Sequence, residues 1–322
     1  MKKIYFVGDM LNKTGPAIAN QNYYLYLKND MFYCFSNNRI IRSLHYIIHL
    51  FVVKKVVISS FSKLNLILLK IGKFFNKETF YLMHGFKKEE VKYQDLEDKV
   101  KEKKIKYEYE LLDNVNHILC VSKFFSEYLA NIYPEFKNKI KYVNNGINVE
   151  NITKREKSKQ YTIMSVGGGR RQKNNLTVCK AIEKAQIDVK YIIVGEQDID
   201  GDEIKKYPFV EYYDELPHEE VIKLMNRADL YIQNSYFETF GIALMEALKC
   251  GCNLLISSKI GAIEVLKGLS QSDIINDVDN VDEISIKILN KIKEKSNSIT
   301  YDKLENSIEN RSKEFLDIIK EM

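Results

Sequence analysis

The sequence predicts an α/β protein built as two Rossmann-like domains, and three observations support this. Short apolar runs alternate with helical stretches in both halves of the chain, the pattern of parallel strands buried on both faces and linked by crossover helices. The length of 322 residues suits two domains of ~150 residues each. Glycine-bearing loops directly follow the first apolar run of the chain and the first after residue 160, as ligand loops do in such sheets.

In order, the first-half strands are expected at 3–7, 56–59, 79–83, 117–121 and 140–143. Those of the second half are expected at 162–166, 190–194, 210–213, 230–233 and 253–256. Helices are expected between them, for example over 174–184, 218–227 and 242–249. The polar, charged segment 149–161 reads as the boundary between domains 1–155 and 156–302. The last stretch, 301–322, reads as an amphipathic helix with Leu304, Ile308, Phe315, Ile318 and Ile319 on one face.

Composition narrows the class. Hydrophobic residues make up 45% and charged residues 29%, which fits a folded globular chain rather than a disordered one. No run approaches the ~18 apolar residues of a membrane span. The opening Met1-Lys2-Lys3-Ile4-Tyr5-Phe6-Val7 reads as a first strand rather than a leader peptide. Five cysteines, with only Cys250 and Cys252 close together, form neither a metal nor a disulfide pattern, so a reduced, cytoplasmic setting is expected. Residues 1–155 hold 26 Lys and Arg against 15 Asp and Glu, and the remainder holds 23 against 29. A basic first half beside an acidic second half points that first half toward an anionic surface. Nothing matches a nucleic-acid motif.

The most informative stretch is Phe237-Glu238-Thr239-Phe240-Gly241-Ile242-Ala243-Leu244-Met245-Glu246. It begins on the loop after a strand, and Gly241 opens the next helix. Glycine lets backbone approach a ligand, and a helix start offers amides and a positive dipole end to phosphate. Two carboxylates eight residues apart flank it. A second stretch, Ser165-Val166-Gly167-Gly168-Gly169-Arg170-Arg171-Gln172-Lys173-Asn174, follows a strand and places three cations in four positions. It suits a diphosphate and lacks the Gly-Lys-Ser/Thr ending of a P-loop.

The first stretch resembles the E-x7-E motif of the retaining GT-B glycosyltransferases of family 4, the glycosyl transferases group 1. The resemblance implies a GT-B fold, with two Rossmann-like domains facing a central cleft and the last helix crossing back to the first domain. It implies that Glu238 contacts donor sugar hydroxyls, that Glu246 holds the ribose, and that Thr239, Phe240, Gly241 and Ile242 meet sugar and diphosphate. The second stretch is similar to the family's G-R-x4-K segment. Lys173 then binds the diphosphate, together with Gly167. Gly168 stands where the family has arginine, leaving Arg170 or Arg171 to take that role. Leu216, before the helix at 218, corresponds to the nucleobase contact.

In the first half, Gly15-Pro16 resembles the family's glycine loop, and His84 corresponds to a histidine that approaches the donor sugar. Val194-Gly195-Glu196, Val121-Ser122-Lys123 and Asn144-Asn145-Gly146-Ile147-Asn148 resemble further landmarks, the last two architectural. The catalytic set expected on this basis is Glu238, Lys173, Arg171 and His84.

The implied activity moves a hexose from a nucleotide diphosphate sugar, most simply a UDP-sugar, to a saccharide or lipid-linked saccharide in surface glycan synthesis. The nucleotide sugar is a substrate, and neither cofactor nor metal is expected. The Asp198-Ile199-Asp200 triplet matches a D-x-D metal motif but reads as a solvated acidic loop. Its twelfth position is Phe209, which excludes an EF-hand. A non-catalytic GT-B-like subunit that binds a partner transferase or glycan is the alternative. Segment 63–77, with Lys63, Lys70, Lys73 and Lys77 among Leu, Ile and Phe, is expected to touch an anionic membrane at its inner face.

Overall fold

A computed structural model describes residues 3–12, 14–36, 38–59, 61–148, 160–294 and 298–322. Most of the expected boundary segment, from Val149 to Lys159, lies outside the described residues. The chain forms two compact units. One comprises Met1–Val91, Leu96–Val149 and Lys303–Met322, the other Lys92–Asp95 and Glu150–Asp302.

The first unit runs β1 (Ile4–Val7), α1 (Gly15–Leu27), β2 (Met31–Tyr33), α2 (Arg39–Leu50), β3 (Lys55–Ser59), α3 (Lys63–Phe74), β4 (Glu78–Met83), α4 (Lys87–Glu90), α5 (Asp98–Asn114), β5 (His117–Cys120), α6 (Lys123–Ile132) and β6 (Ile140–Tyr142). Its sheet has the order β2-β1-β3-β4-β5-β6, parallel throughout. β2 has only three residues, too few for its apolar pattern to show in the sequence.

The second unit runs β7 (Thr162–Val166), α7 (Asn175–Ala185), β8 (Lys190–Val194), α8 (Gly201–Ile204), β9 (Val210–Tyr213), α9 (His218–Arg227), β10 (Leu230–Gln233), α10 (Ile242–Lys249), β11 (Asn253–Ser257), β12 (Leu266–Lys267), β13 (Ile274–Ile275), α11 (Val281–Lys293) and β14 (Thr300–Tyr301). The parallel sheet is ordered β13-β11-β10-β7-β8-β9. The chain therefore starts mid-sheet at β7, builds outward through β8 and β9, then returns to β7's other side at β10. That reversal makes the carboxyl ends of β7 and β10 a topological switch point, where open α/β sheets bind ligands. Ile163, Ile193, Leu230, Ile232 and Leu255 pack the sheet against Val178, Ile182, Ile284 and Ile288 of α7 and α11. Each such burial contributes about 1.5–3 kcal/mol.

The last helix, α12 (Ile308–Glu321), packs on α1 in the first unit. Phe315 lies 4.3 Å from Tyr23, ring to ring, and Lys55 Nζ donates to the Ile319 carbonyl at 2.6 Å. The helix starts later than the amphipathic pattern suggests. Tyr301 pairs with Leu266 in the small antiparallel ribbon of β12 and β14, and Leu304 is exposed ahead of the helix. Ser307 sets the start, since its Oγ accepts from the Asn310 amide at 3.2 Å. Gly146 packs under this start: a Cβ there would come 2.5 Å from Ile308 Cα. The Asn-Asn-Gly-Ile turn is thus architectural. Among the described residues, no helix is long and apolar enough to cross a membrane.

Candidate functional site

The site in the second unit is built by two loops that leave β7 and β10 side by side. After β7 the backbone turns through Gly167 and Gly168, both at positive φ. Their amides donate to the Val194 carbonyl at 2.7 and 3.1 Å, and the Gly169 amide donates to Glu196 O at 2.9 Å. A Cβ on Gly168 would fall 2.0 Å from Glu196 O, and one on Gly195 would fall 2.6 Å from the Gly168 amide nitrogen. Backbone lies on backbone, so only glycine fits at either place. The Val-Gly-Glu turn after β8 is the other half of this contact. Asn175 Nδ2 holds the Gly168 carbonyl at 2.8 Å. Its Oδ1 accepts from Tyr191, whose hydroxyl meets Ser165, so a buried polar chain ties the loop to the sheet.

Lys173 leaves the short turn after this loop and lies across Gly167, where a Cβ would collide with its stem at 2.5 Å. Its ammonium pairs with the Glu238 carboxylate, and both side chains are mostly buried. Gln233 Nε2, at the end of β10, donates to the same Glu238 oxygen at 3.2 Å. Gln172 Nε2 donates to the Phe237 carbonyl at 2.8 Å, and the Tyr236 amide donates to Gln172 O at 3.1 Å. The two loops are therefore sewn together next to the ion pair.

The Glu238 loop is also fixed from its other side. The Glu238 amide donates to Lys259 O at 2.9 Å, Gly261 N to Glu238 O at 3.0 Å, and Ala262 N to Phe240 O at 2.7 Å. Phe237 and Phe240 are buried anchors, and Thr239 is buried with them. Gly241, at φ +106°, is the N-cap of α10 and has no side chain to cap its first amides. Such a helix start binds anions. One turn on, Glu246 Oε1 lies 2.8 Å from His218 Nε2 at the start of α9. The hydrogen bond to Glu246 raises the His218 pKa above its ordinary value. Leu216, two residues earlier, is half-buried.

The two candidate arginines differ. Arg170 folds back on its own loop, with Nε 3.1 Å from Gly167 O. Arg171 is exposed and faces Asp200 at 3.5 Å. Asp200 of the D-x-D triplet is thereby an arginine partner, and Asp198 Oδ1 accepts from the Ile199 amide at 2.7 Å.

In the first unit, His84 directly follows β4, and its Nε2 lies 3.2 Å from Asn20 Oδ1. The same oxygen accepts from Ser59 Oγ at 2.7 Å, and Asn20 Nδ2 donates to Asp9 O at 3.0 Å. Burial pushes the imidazole pKa down to about 4, so it is neutral at pH 7. Gly15 opens α1 behind its Thr14 cap, with nothing within 4 Å of a Cβ there. A surface cleft of about 450 Å³ lies by the amino-terminal end of β5 at His117 and Asn116, the end of a parallel sheet that ligands do not use.

The structure thus gathers Gly167, Lys173, Glu238, Thr239, Phe240, Gly241 and Ile242 at the β7/β10 switch point, with Glu246 on the same helix. Gln233, Gln172 and His218 join them without having been expected. A polar residue closing the apolar run Leu230-Tyr231-Ile232 is the one signal that pointed to Gln233.

Comparison with known proteins places the chain. The family described as glycosyl transferases group 1 matches residues 148–314. The phosphatidylinositol N-acetylglucosaminyltransferase GPI3 subunit of Saccharomyces cerevisiae is 26% identical over 179 residues, 48% of this chain. The match covers only 38% of that relative's own length. The fold is shared with sucrose-phosphate synthase of Thermosynechococcus elongatus, at 15% identity and TM-score 0.71 over 99% of this chain and 95% of that one. It is shared as well with Anabaena Alr3699/HepE, solved with UDP-glucose, at 10% identity and TM-score 0.69 over the full length of both. With its two parallel six-stranded sheets and returning terminal helix, the chain belongs to the glycosyl transferases group 1 family, the GT-B glycosyltransferases of family 4.

Proposed function

We propose that this glycosyltransferase moves a hexose from a UDP-sugar to a saccharide or lipid-linked saccharide, with retention at the anomeric carbon. The observation that carries the reading is the Lys173–Glu238 ion pair, set beside the uncapped start of α10 at the switch point. UDP is the favoured nucleotide because the HepE relative was solved with UDP-glucose.

On this reading residues 156–302 hold the donor and residues 1–155 with the last helix face the acceptor. Lys173 and the α10 amides take the diphosphate, with Arg170 or Arg171 beside them. Glu238 takes the sugar hydroxyls, Glu246 the ribose hydroxyls, and backbone near Leu216 the base. The bond between anomeric carbon and phosphate oxygen breaks, and the diphosphate leaves with both electrons into this cationic pocket. The acceptor hydroxyl adds to the same face of the sugar and gives its proton to the departing phosphate oxygen. Fixed charges aimed at the developing negative charge lower the barrier, since they need no reorganisation as the bond breaks. Neutral His84 offers a hydrogen bond rather than a charge. No step requires a metal, and the reaction belongs in the cytoplasm, where nucleotide sugars are donors.

The test is binding and turnover of UDP-, GDP- and dTDP-sugars in EDTA. Glu238→Ala, Lys173→Ala and Glu246→Ala are compared with wild type. Selective turnover of one sugar nucleotide, lost in the folded variants, supports the reading. Undiminished turnover in a folded variant removes that residue from the mechanism. One observation favours a second reading, an accessory subunit: Gly168 occupies the position of the family arginine. Donor binding without transfer across acceptor mixtures would favour it.

A further inference from the structure

Helix α2 buries Tyr46 and Leu50 yet is also apolar on its outward face. Its inward face carries Tyr46, whose buried hydroxyl donates to Leu68 O at 2.8 Å, and two histidines. His45 Nδ1 bonds the Tyr5 hydroxyl at 2.7 Å and stacks on His49 at 4.2 Å, while His49 packs on Phe32 at 4.3 Å. Its outward face is aliphatic. Ile40 is 70% exposed and Ile48 66%, with Ile41, Leu44 and Ile47 exposed between them. The spacing of three and four residues makes these one stripe. The stripe runs on into Phe51, 73% exposed, which meets Phe75 edge-on at 5.8 Å. Phe75 touches Phe74, 83% exposed at the end of α3. Single exposed apolar residues are ordinary, but a continuous patch marks an interaction surface. In α3 Leu66, Leu68 and Leu69 are buried while Ile67, one heptad before Phe74, is 54% exposed, so α2 carries most of the apolar face and α3 adds Ile67 and its carboxyl end.

Charge identifies what covers this face. Residues 31–77 contain eight Lys and Arg and no Asp or Glu. Lys55 and Lys70 are neutralised by Glu78 and Glu110, and Arg42 lines a polar pocket with Asp9. Arg39, Lys54 and Lys73 stay exposed on the segments that carry the patch. A second copy of the chain, docked by two-fold symmetry, would set this cationic surface against itself. An anionic bilayer supplies both needs, acyl chains for the isoleucines and phenylalanines and phosphate for the cations. The twelve-residue helix is about 18 Å long, too short to span and suited to lie in the interface.

We infer that the outward face of α2, with Phe51 and Phe74, docks the protein on an anionic membrane surface. This rests on no part of the transferase reading, although a lipid-linked acceptor would be met there.

The test is co-sedimentation of the 322-residue chain with vesicles of phosphatidylcholine alone or mixed with phosphatidylglycerol. The chain is expected to pellet only with the mixed vesicles and to be released by salt. Combining Ile40→Ser, Leu44→Ser and Ile48→Ser is expected to weaken binding about ten-fold or more. Arg39→Gln or Lys54→Gln is expected to weaken it about five-fold each. The aliphatic changes are on exposed positions, so circular dichroism and UDP-sugar binding should be unchanged. The chain has no tryptophan, so Ile48→Trp adds a sole indole whose emission should shift to the blue on mixed vesicles. Failure to pellet overturns the inference. So does equal binding by the triple variant, or binding with no shift at position 48. A concentration-dependent dimer abolished by the triple variant, with no vesicle binding, would assign the face to self-association instead.

Discussion

At the carboxyl end of the second sheet, charge meets charge in Lys173 on Glu238 and Arg171 on Asp200, and His218 hydrogen-bonds the Glu246 carboxylate. At the carboxyl end of the first sheet, His84, Asn20 and Ser59 share neutral hydrogen bonds around a single amide oxygen. Both are ends of parallel six-stranded sheets, so topology alone does not separate them. What differs is the task each composition suits. Ion pairs in a half-buried crevice can exchange one partner for a ligand of the same charge, so they suit a diphosphate. A neutral network holds direction without attracting charge, so it suits hydroxyls. Glu238→Gln breaks the comparison most sharply. It is expected to cut turnover about 10²–10³-fold with the fold retained. Steady-state kinetics beside His84→Gln checks it. An equal loss in the two variants would mean that both ends do the same chemistry.

The glycine loops offer the next contrast. Gly168 sits at φ +60°, and the Glu196 carbonyl oxygen lies 2.0 Å from where its Cβ would stand, while Gly15 has nothing within 4 Å. Gly168→Ala is expected to cost about 3 kcal/mol of stability in the second unit. Gly15→Ala, at a helix start, is expected to change stability by less than about 1 kcal/mol. Thermal unfolding followed by limited proteolysis reads both. A turnover loss in stable Gly15→Ala would show that this loop touches substrate rather than shaping the fold.

The sequence disclosed these two loops unequally. Apolar runs such as Leu230-Tyr231-Ile232 mark strands because parallel strands are buried on both faces. Gly241, opening a helix just after a strand, suggests an anion-binding loop because helix starts bind anions, while the Glu238–Glu246 spacing points to a ligand only through its resemblance to the family motif. Pairings across the sheet left no such mark. That Lys173 meets Glu238, or that Gly168 rests on Glu196 O, depends on β7 lying beside both β8 and β10, which no local pattern encodes. Tyr301 looked helical by composition and is held in a strand by Leu266. The orientation of α2 was equally hidden. Its periodicity is that of any amphipathic helix, and the burial of Tyr46 and Leu50 shows which face is inward.

A smaller effect tests the neutral end. Burial lowers the His84 pKa from 6.5 to about 4, so the folded state favours the uncharged ring. Below pH 6.5 the unfolded chain takes up a proton that the native state refuses, and stability falls with pH. The contribution is full above pH 6.5 and is lost as pH falls toward about 4, on the order of 3 kcal/mol in all. His84→Gln should lack this component. Denaturation midpoints of both proteins across that window give the difference, and parallel curves would mean that His84 is protonated without cost.

The charged end predicts the opposite sign at His218. Here the folded pKa is raised by the Glu246 hydrogen bond. The stability from this pair is full below the ordinary imidazole pKa and is lost as pH rises through the raised one. With His218 half-exposed, the pair is worth less than about 1 kcal/mol. If Glu246 holds the ribose of the donor, its partner competes for it. Protonated His218 draws the carboxylate away, and neutral His218 releases it. UDP affinity in wild type should therefore rise up to about five-fold as pH increases through the His218 titration, whereas His218→Ala should show no such rise. Calorimetric titration with UDP at several pH values decides this. The same pH dependence in both proteins would place Glu246 away from the nucleotide, and the ribose contact would have to be sought elsewhere along α10.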